Sequence, residues 1–326
     1  MRLKGVRSDA MEEKGNDWRL GPGNQPIKER IMNRLLISFS GGETSALMAL
    51  LIHERWRNRY DEIITVFANT GLENEETLEF VRQCDDAFGW SVVWVEAVTA
   101  PERGKGVTAR VVDFNTACRD GSVFEAMIAK HGIPGPGFIH CTRELKERAI
   151  TAYCRTIGWK SGTYDTAIGI RNDEVDRINP SASKKRLVYP LANDWPRRKP
   201  DVNAYWDRQP FRLRLKGYKG NCKTCWKKSL RKHLTIMSET PRDYDFFERM
   251  EQTYPMSGAN PRNEPKRFFR DRLMVSDIRR LAAEGNFEPA EDDAAVYQSD
   301  MFAGHELDVG GGCEESCEVT FEDDQV

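Results

Sequence analysis

The sequence predicts an α/β fold: a doubly wound, mostly parallel sheet followed by an irregular, cysteine-containing C-terminal region. Three observations lead there. Apolar runs of strand length at 35–39, 63–67, 92–95 and 163–170 alternate with helical apolar spacing at 44–57, 75–88 and 143–157. Strands alternating with helices imply parallel pairing with helices on both faces. Glycine and small polar residues mark the strand-to-helix junctions, and 326 residues at 39% hydrophobic suffice for one large core or two ordinary ones.

Taken in order, residues 1–31 are charged and aperiodic and read as a disordered extension. Residues 32–179 carry the alternating pattern. Within them, 98–136 is rich in glycine and polar residues and reads as an excursion that covers the site. Residues 180–286 hold nine of the fifteen prolines and three of the eight tryptophans and read as an irregular substrate region on the sheet, closed by a helix at 276–283. Residues 287–326 are an acidic tail containing Cys313 and Cys317.

Composition narrows the function classes. No stretch approaches the roughly 18–20 apolar residues of a membrane span, and the N-terminus has no apolar h-region, so a cytoplasmic, reducing setting is expected. Eight cysteines in that setting point to metal ligation or redox chemistry rather than a disulfide framework. The net charge of −2 conceals an asymmetry: residues 287–326 hold thirteen Asp or Glu and no Lys or Arg, leaving a body near +11. Residues 184–232 hold sixteen Lys or Arg against three Asp, interleaved with Tyr189, Trp195, Tyr205, Trp206, Phe211, Tyr218 and Trp226. That pattern reads either as a surface tracking a phosphate backbone and stacking bases, or as a solvated basic face over core aromatics.

The strand at 35–39 runs into Ser40-Gly41-Gly42-Glu43-Thr44-Ser45 and then a helix. Glycines admit backbone amides to a phosphate, the hydroxyls of Ser40, Thr44 and Ser45 add donors, and the helix N-terminus adds a positive dipole. Three more segments follow in order: Phe67-Ala68-Asn69-Thr70-Gly71-Leu72-Glu73, Cys141-Thr142-Arg143-Glu144-Leu145-Lys146, and Gly169-Ile170-Arg171-Asn172-Asp173-Glu174. Together they resemble the adenine nucleotide alpha hydrolases (N-type ATP pyrophosphatases, HUP/Rossmann-like), and within them the phosphoadenosine phosphosulfate reductase-like family, over about residues 35–228. The resemblance implies that Ser40, Gly41, Gly42, Thr44 and Ser45 hold phosphates. Asn69, Thr70, Gly71 and Gly169 would lie against the nucleotide. Ser40, Arg171 and Asp173 would serve catalysis, with Arg171 as an anion clamp and Asp173 beside Mg²⁺.

Cys222-Lys223-Thr224-Cys225 places two thiols in one loop, with Cys141 far upstream. Chemistry alone leaves zinc, an iron–sulfur cluster and a thiol–disulfide pair open. The resemblance implies a 4Fe-4S cluster, zinc being the alternative, yet His140 stands where the family pairs two cysteines. The fourth corner then falls to His140, Cys313, Cys317 or an exogenous group.

The expected activity is an ATP-dependent adenylation followed by sulfur transfer, with adenine nucleotide, a nucleic-acid acceptor and a sulfur-donor protein (thioredoxin-like or a cysteine desulfurase) as partners, and a homodimer as a compatible assembly. The alternatives are a sulfite-forming reductase that takes a sulfonucleotide as substrate, and a non-catalytic nucleotide- or nucleic-acid-binding protein. The acidic surroundings of Cys313 and Cys317 oppose thiolate attack on an anionic sulfate.

Overall fold

The computed structural model describes residues 32–292 apart from 103, 137–138, 221 and 261. The expected extension at 1–31 and the tail with Cys313 and Cys317 lie outside the described residues.

The protein is an α/β sheet of six strands in the order β4-β3-β2-β1-β5-β6. The strands are β1 (Arg34–Phe39), β2 (Glu62–Asn69), β3 (Val93–Thr99), β4 (Val107–Val112), β5 (Asp165–Ala167) and β6 (Leu187–Val188). All neighbours are parallel except β3 and β4, an antiparallel pair running from Trp94–Val112 to Thr99–Val107. Helices α1 (Glu43–Arg55) and α2 (Glu75–Phe88) connect β1, β2 and β3 in succession.

The near-continuous apolar run of β1 is explained by burial on both faces. Leu35, Ile37 and Phe39 pack with α1, α2 and Trp206, whereas Leu36 points to the opposite core with Val66, Ala68, Val95 and Ala97. Leu35, Leu36 and Ile37 are wholly buried, each stabilising the fold by about 1.5–3 kcal/mol. On that opposite face lie α3 (Ser122–His131), α4 (His140–Thr142) and α5 (Arg148–Thr156), followed by α7 (Leu230–Glu239), α8 (Asp245–Thr253) and α9 (Val275–Glu284). A π-helical turn, Arg143–Glu147, joins α4 to α5.

The segment at 98–136 contains β4 and α3, so it is a sheet edge and a packed helix as well as a connection. The region 180–286 also carries more order than its sequence pattern discloses: β6, α6 (Lys199–Trp206), α7, α8 and α9, linked by irregular runs. Its aromatics are largely packed inward. Trp206 is wholly buried, and Tyr189, Tyr218 and Trp226 are buried too; Trp195, Tyr205 and Phe211 pack against the α1–α2 core. Four of these rings are interior packing, while Trp195, Tyr205 and Phe211 keep part of their surface accessible. Several cations of the same stretch are committed as well, Arg212 to Glu43 and Asp207, and Lys216 and Lys219 to Glu239. No described helix is long and apolar enough to cross a membrane.

Candidate functional site

In open parallel sheets the ligand crevice lies at the carboxyl ends of the strands, where the strand order reverses. Here the chain steps from β1 to β2 and β3 on one side, then returns to place β5 on the other side of β1. The loops after β1 and β5 flank that reversal.

After β1, Gly41 has φ +83° and Gly42 forms the N-cap of α1 in an extended conformation, with no side-chain cap. Ser40 and Ser45 close the loop: their hydroxyls lie 2.8 Å apart, Ser40 N–H donates to Ser45 Oγ at 3.2 Å, and Ser45 Oγ–H donates to the Gly42 carbonyl at 3.0 Å. Glu43 points outward from the loop, gripping the Arg212 guanidinium through two 3.0 Å bonds while its own carbonyl accepts from Trp206 Nε1–H at 2.9 Å. The left-handed requirement falls on Gly41. A Cβ there would sit 2.7 Å from Thr77 Cγ2 and 3.0 Å from the Phe67 ring. Gly41→Ala should therefore cost about 2–3 kcal/mol in urea unfolding. Gly89→Ala, also at positive φ but with nothing within 4 Å, should cost only about 1 kcal/mol.

After β5, Gly169 packs on the start of α1; a Cβ there would lie 3.0 Å from Ser45 Cα. Arg171 is only 4% exposed, so it is not a surface ion pair. Its Nη1 donates to Thr44 Oγ1 at 3.2 Å and its Nε donates to Asp173 Oδ1 at 2.9 Å. Asp173 Oδ2 accepts from Lys199 N–H at 3.1 Å, and Glu174 is engaged by Arg171 N–H and Arg177. Both carboxylates thus hold the arginine and its loop. Asp173 orients Arg171, and each of its oxygens, having accepted one hydrogen bond, retains a lone pair for a further ligand.

After β2, Asn69 and Thr70 are buried and structurally committed. Asn69 Nδ2–H donates to Glu96 at 2.6 Å and to the Cys118 carbonyl at 2.9 Å. Thr70 N–H and Oγ1–H both donate to Glu73 at 2.9 Å. Gly71, at φ +83°, lets Cys118 approach: a Cβ would meet its Sγ at 2.7 Å. The loop then reaches the CxxC segment. Glu73 and Cys222 form an antiparallel bridge, Lys223 N–H donates to the Leu72 carbonyl at 2.9 Å, and Cys222 Sγ lies 3.5 Å from Thr70 Oγ1.

Cys141, Cys222 and Cys225 line one small apolar cavity with Phe124, Trp226 and Phe247. The fold therefore brings together three thiols separated widely in sequence. Their donor chemistry fits a thiolate-bound cluster. The space between them is about 20 Å³, the size of a single water. Tetrahedral zinc would draw the sulfurs to about 3.8 Å from one another. Among the described residues the set of three potential ligands gathered within 4.8 Å is instead His131, His140 and Glu144.

That second set is poorly suited to a cation. Glu144 accepts from Arg143 at 3.0 Å and Arg148 at 2.9 Å, and His140 Nδ1 lies 3.0 Å from Arg143 Nη2 with its ring stacked on His131. Burial and then Arg143 push the His140 pKa down to about 4. His140, next to Cys141 at the start of α4, is not among the described residues that line the cysteine cavity. Cys84 and Cys154 are wholly buried core residues, as small apolar side chains would be. Cys118 is half-buried with its thiol 3.0 Å from Asp120. The roles of Glu73 and Glu43 have no sequence signal, since nothing local announces which distant loop a carboxylate will hold.

These features define a doubly wound α/β protein whose anion-type loop and thiol cavity open from the same strand edge. No family model matches the chain. It is 32% identical over 289 residues to an uncharacterized nin region protein, ORF290, of Escherichia phage lambda, covering 87% of this chain and 94% of that protein. The chain belongs to the family of that phage protein.

Proposed function

We propose that the protein is a phosphoadenosine phosphosulfate reductase-like ATP pyrophosphatase that adenylates an acceptor and then exchanges oxygen for sulfur. One observation carries this reading: the Ser40–Ser45 loop and Arg171 flank the strand-order reversal and are joined by the Arg171–Thr44 bond. The pyrophosphate of ATP would lie over the first turn of α1, where amides, the Ser40 hydroxyl and the helix dipole favour anions. An acceptor oxygen attacks the α-phosphorus, the bond to the β-phosphate breaks, and pyrophosphate leaves. Arg171, held by Asp173, stabilises the charge that develops there. Hydrosulfide would then attack the activated acceptor carbon, forming a C–S bond as the C–O bond breaks, so that the oxygen departs in AMP and a proton is released. Sulfur enters and stays at the same oxidation level, so no electron acceptor is needed. Cys141, Cys222 and Cys225 would hold an iron–sulfur cluster, which supplies a docking point for hydrosulfide when bound.

The test is product analysis. Anaerobic protein, given ATP, sulfide and single-stranded DNA or RNA, is expected to release pyrophosphate and AMP. Given phosphoadenosine phosphosulfate and a thiol reductant, it should release no sulfite. Sulfite formation would install the reductase instead, and ATP bound but left intact would favour a binding protein.

A further inference from the structure

A second cavity, about 380 Å³, opens beside the cysteine edge and is lined by Arg262, Lys266, Arg267, Arg270 and Arg272. Its volume lies in the range of small-ligand pockets. Two carboxylates share the wall, Glu264 and Asp271, and Asp271 pairs with Arg262. The lining therefore carries a cationic excess.

The hairpin presenting these arginines is firmly built. Phe269 and Leu273 bridge each other, with Arg270 and Asp271 at the tip in left-handed conformations, φ 52° and 60°. Buried Glu251 fixes both ends, accepting from Phe268 N–H at 2.7 Å and Val275 N–H at 3.0 Å. Two of its lining segments lead toward the thiols. Its other wall, 133–136, leads into α4 and Cys141, and Arg270 Nη2–H donates to the carbonyls of Lys227 and Lys228, just beyond Cys225.

We propose that this cavity binds the phosphodiester backbone of a single-stranded nucleic-acid acceptor and thereby brings one of its nucleotides to the cysteine edge. The inference rests on the functional reading above and names its substrate class. Guanidinium forks suit phosphate oxygens, and a strand, unlike a free ion, can occupy the pocket and continue past the thiols.

The experiment is fluorescence anisotropy with a labelled 20-nucleotide single strand, titrated across a salt series. Arg267→Gln combined with Arg272→Gln changes two exposed side chains. It is expected to weaken binding at least tenfold and to reduce the slope of log K against log salt by about 1.4, at roughly 0.7 for each phosphate that is no longer neutralised. Arg280→Gln, exposed on α9, serves as the control and should change neither. Arg267→Lys combined with Arg272→Lys should keep most of the slope and so separates charge from fold, with unfolding midpoints measured for all. An unchanged slope in the Gln variant overturns the proposal. So does AMP or inorganic phosphate being displaced from the pocket while the strand is indifferent to the arginines, which would make it a free-nucleotide site. Calorimetry with ATP keeps the two readings apart. Normal ATP binding without arginine-dependent strand binding defeats only the substrate inference. Arginine-dependent strand binding with no ATP binding defeats the pyrophosphatase reading and leaves the cavity's role standing.

Discussion

Arg171→Ala is expected to lower pyrophosphate release by about 100- to 1000-fold, the usual effect of removing one charge-stabilising donor from a reacting centre. The side chain is buried between the phosphate-type loop and its own carboxylate partner, donating to Thr44 Oγ1 and to Asp173. Truncation also removes a buried side chain's hydrogen bonds to Thr44 and Asp173, while Asp173, one-third exposed, still accepts from Lys199 N–H, so it should cost about 1–3 kcal/mol. The two effects separate in Arg171→Lys. A lysine preserves the charge and most of the stability but loses the planar fork, so it should fold nearly normally and still turn over poorly. Steady-state pyrophosphate release beside urea unfolding checks this. Full turnover in the alanine variant would reduce Arg171 to a structural strut.

Cys222→Ala is expected to take the anaerobically purified protein from brown, with broad visible absorption and stoichiometric iron and sulfide, to colourless with trace iron. Cys222 lies where the β2 loop and the CxxC segment meet, bridged to Glu73 and close to Thr70, and shares its cavity with Cys141 and Cys225. Because a bound metal stabilises the fold that presents its ligands, the loss should also lower the unfolding midpoint. Cys84→Ala, deep in the α2 core, should cost some stability and no iron. A colourless wild-type protein loaded with zinc would sink the cluster reading, and unchanged iron in Cys222→Ala would remove this residue from it.

The fold is readable where periodicity is strong. The helix at 75–88 and the runs around β1, β2 and β3 stand out because burial on two faces forces near-continuous apolar strands between amphipathic helices. β4 is hidden: it is a half-exposed edge strand, Val107–Val112, whose pairing with β3 leaves little trace in a polar segment. The helix α6 is obscured by Pro200 and Trp206, whereas α7 and α8 contain neither residue and carry an apolar stripe legible in their periodicity. At the site, Gly41 and Arg171 are legible from local chemistry, whereas Asn69 is tied to Glu96 and Cys118, partners that only the folded chain reveals. The cationic hairpin does have a signal, five Lys or Arg within 262–272, but it lies beyond the longer basic stretch at 184–232 and is brief beside it.

The clasp between Glu43 and Arg212 makes the first turn of α1 and the segment around 206–213 a single mechanical unit, because one carboxylate holds the guanidinium and also accepts from Leu213 N–H at 3.2 Å. A ligand that settles on that turn must then be sensed 170 residues along the chain. Protease nicking or amide exchange near Leu213 would slow when the loop is occupied. By thermodynamic reciprocity, loosening the clasp with Arg212→Gln would weaken the ligand by the same factor that the ligand protects the segment.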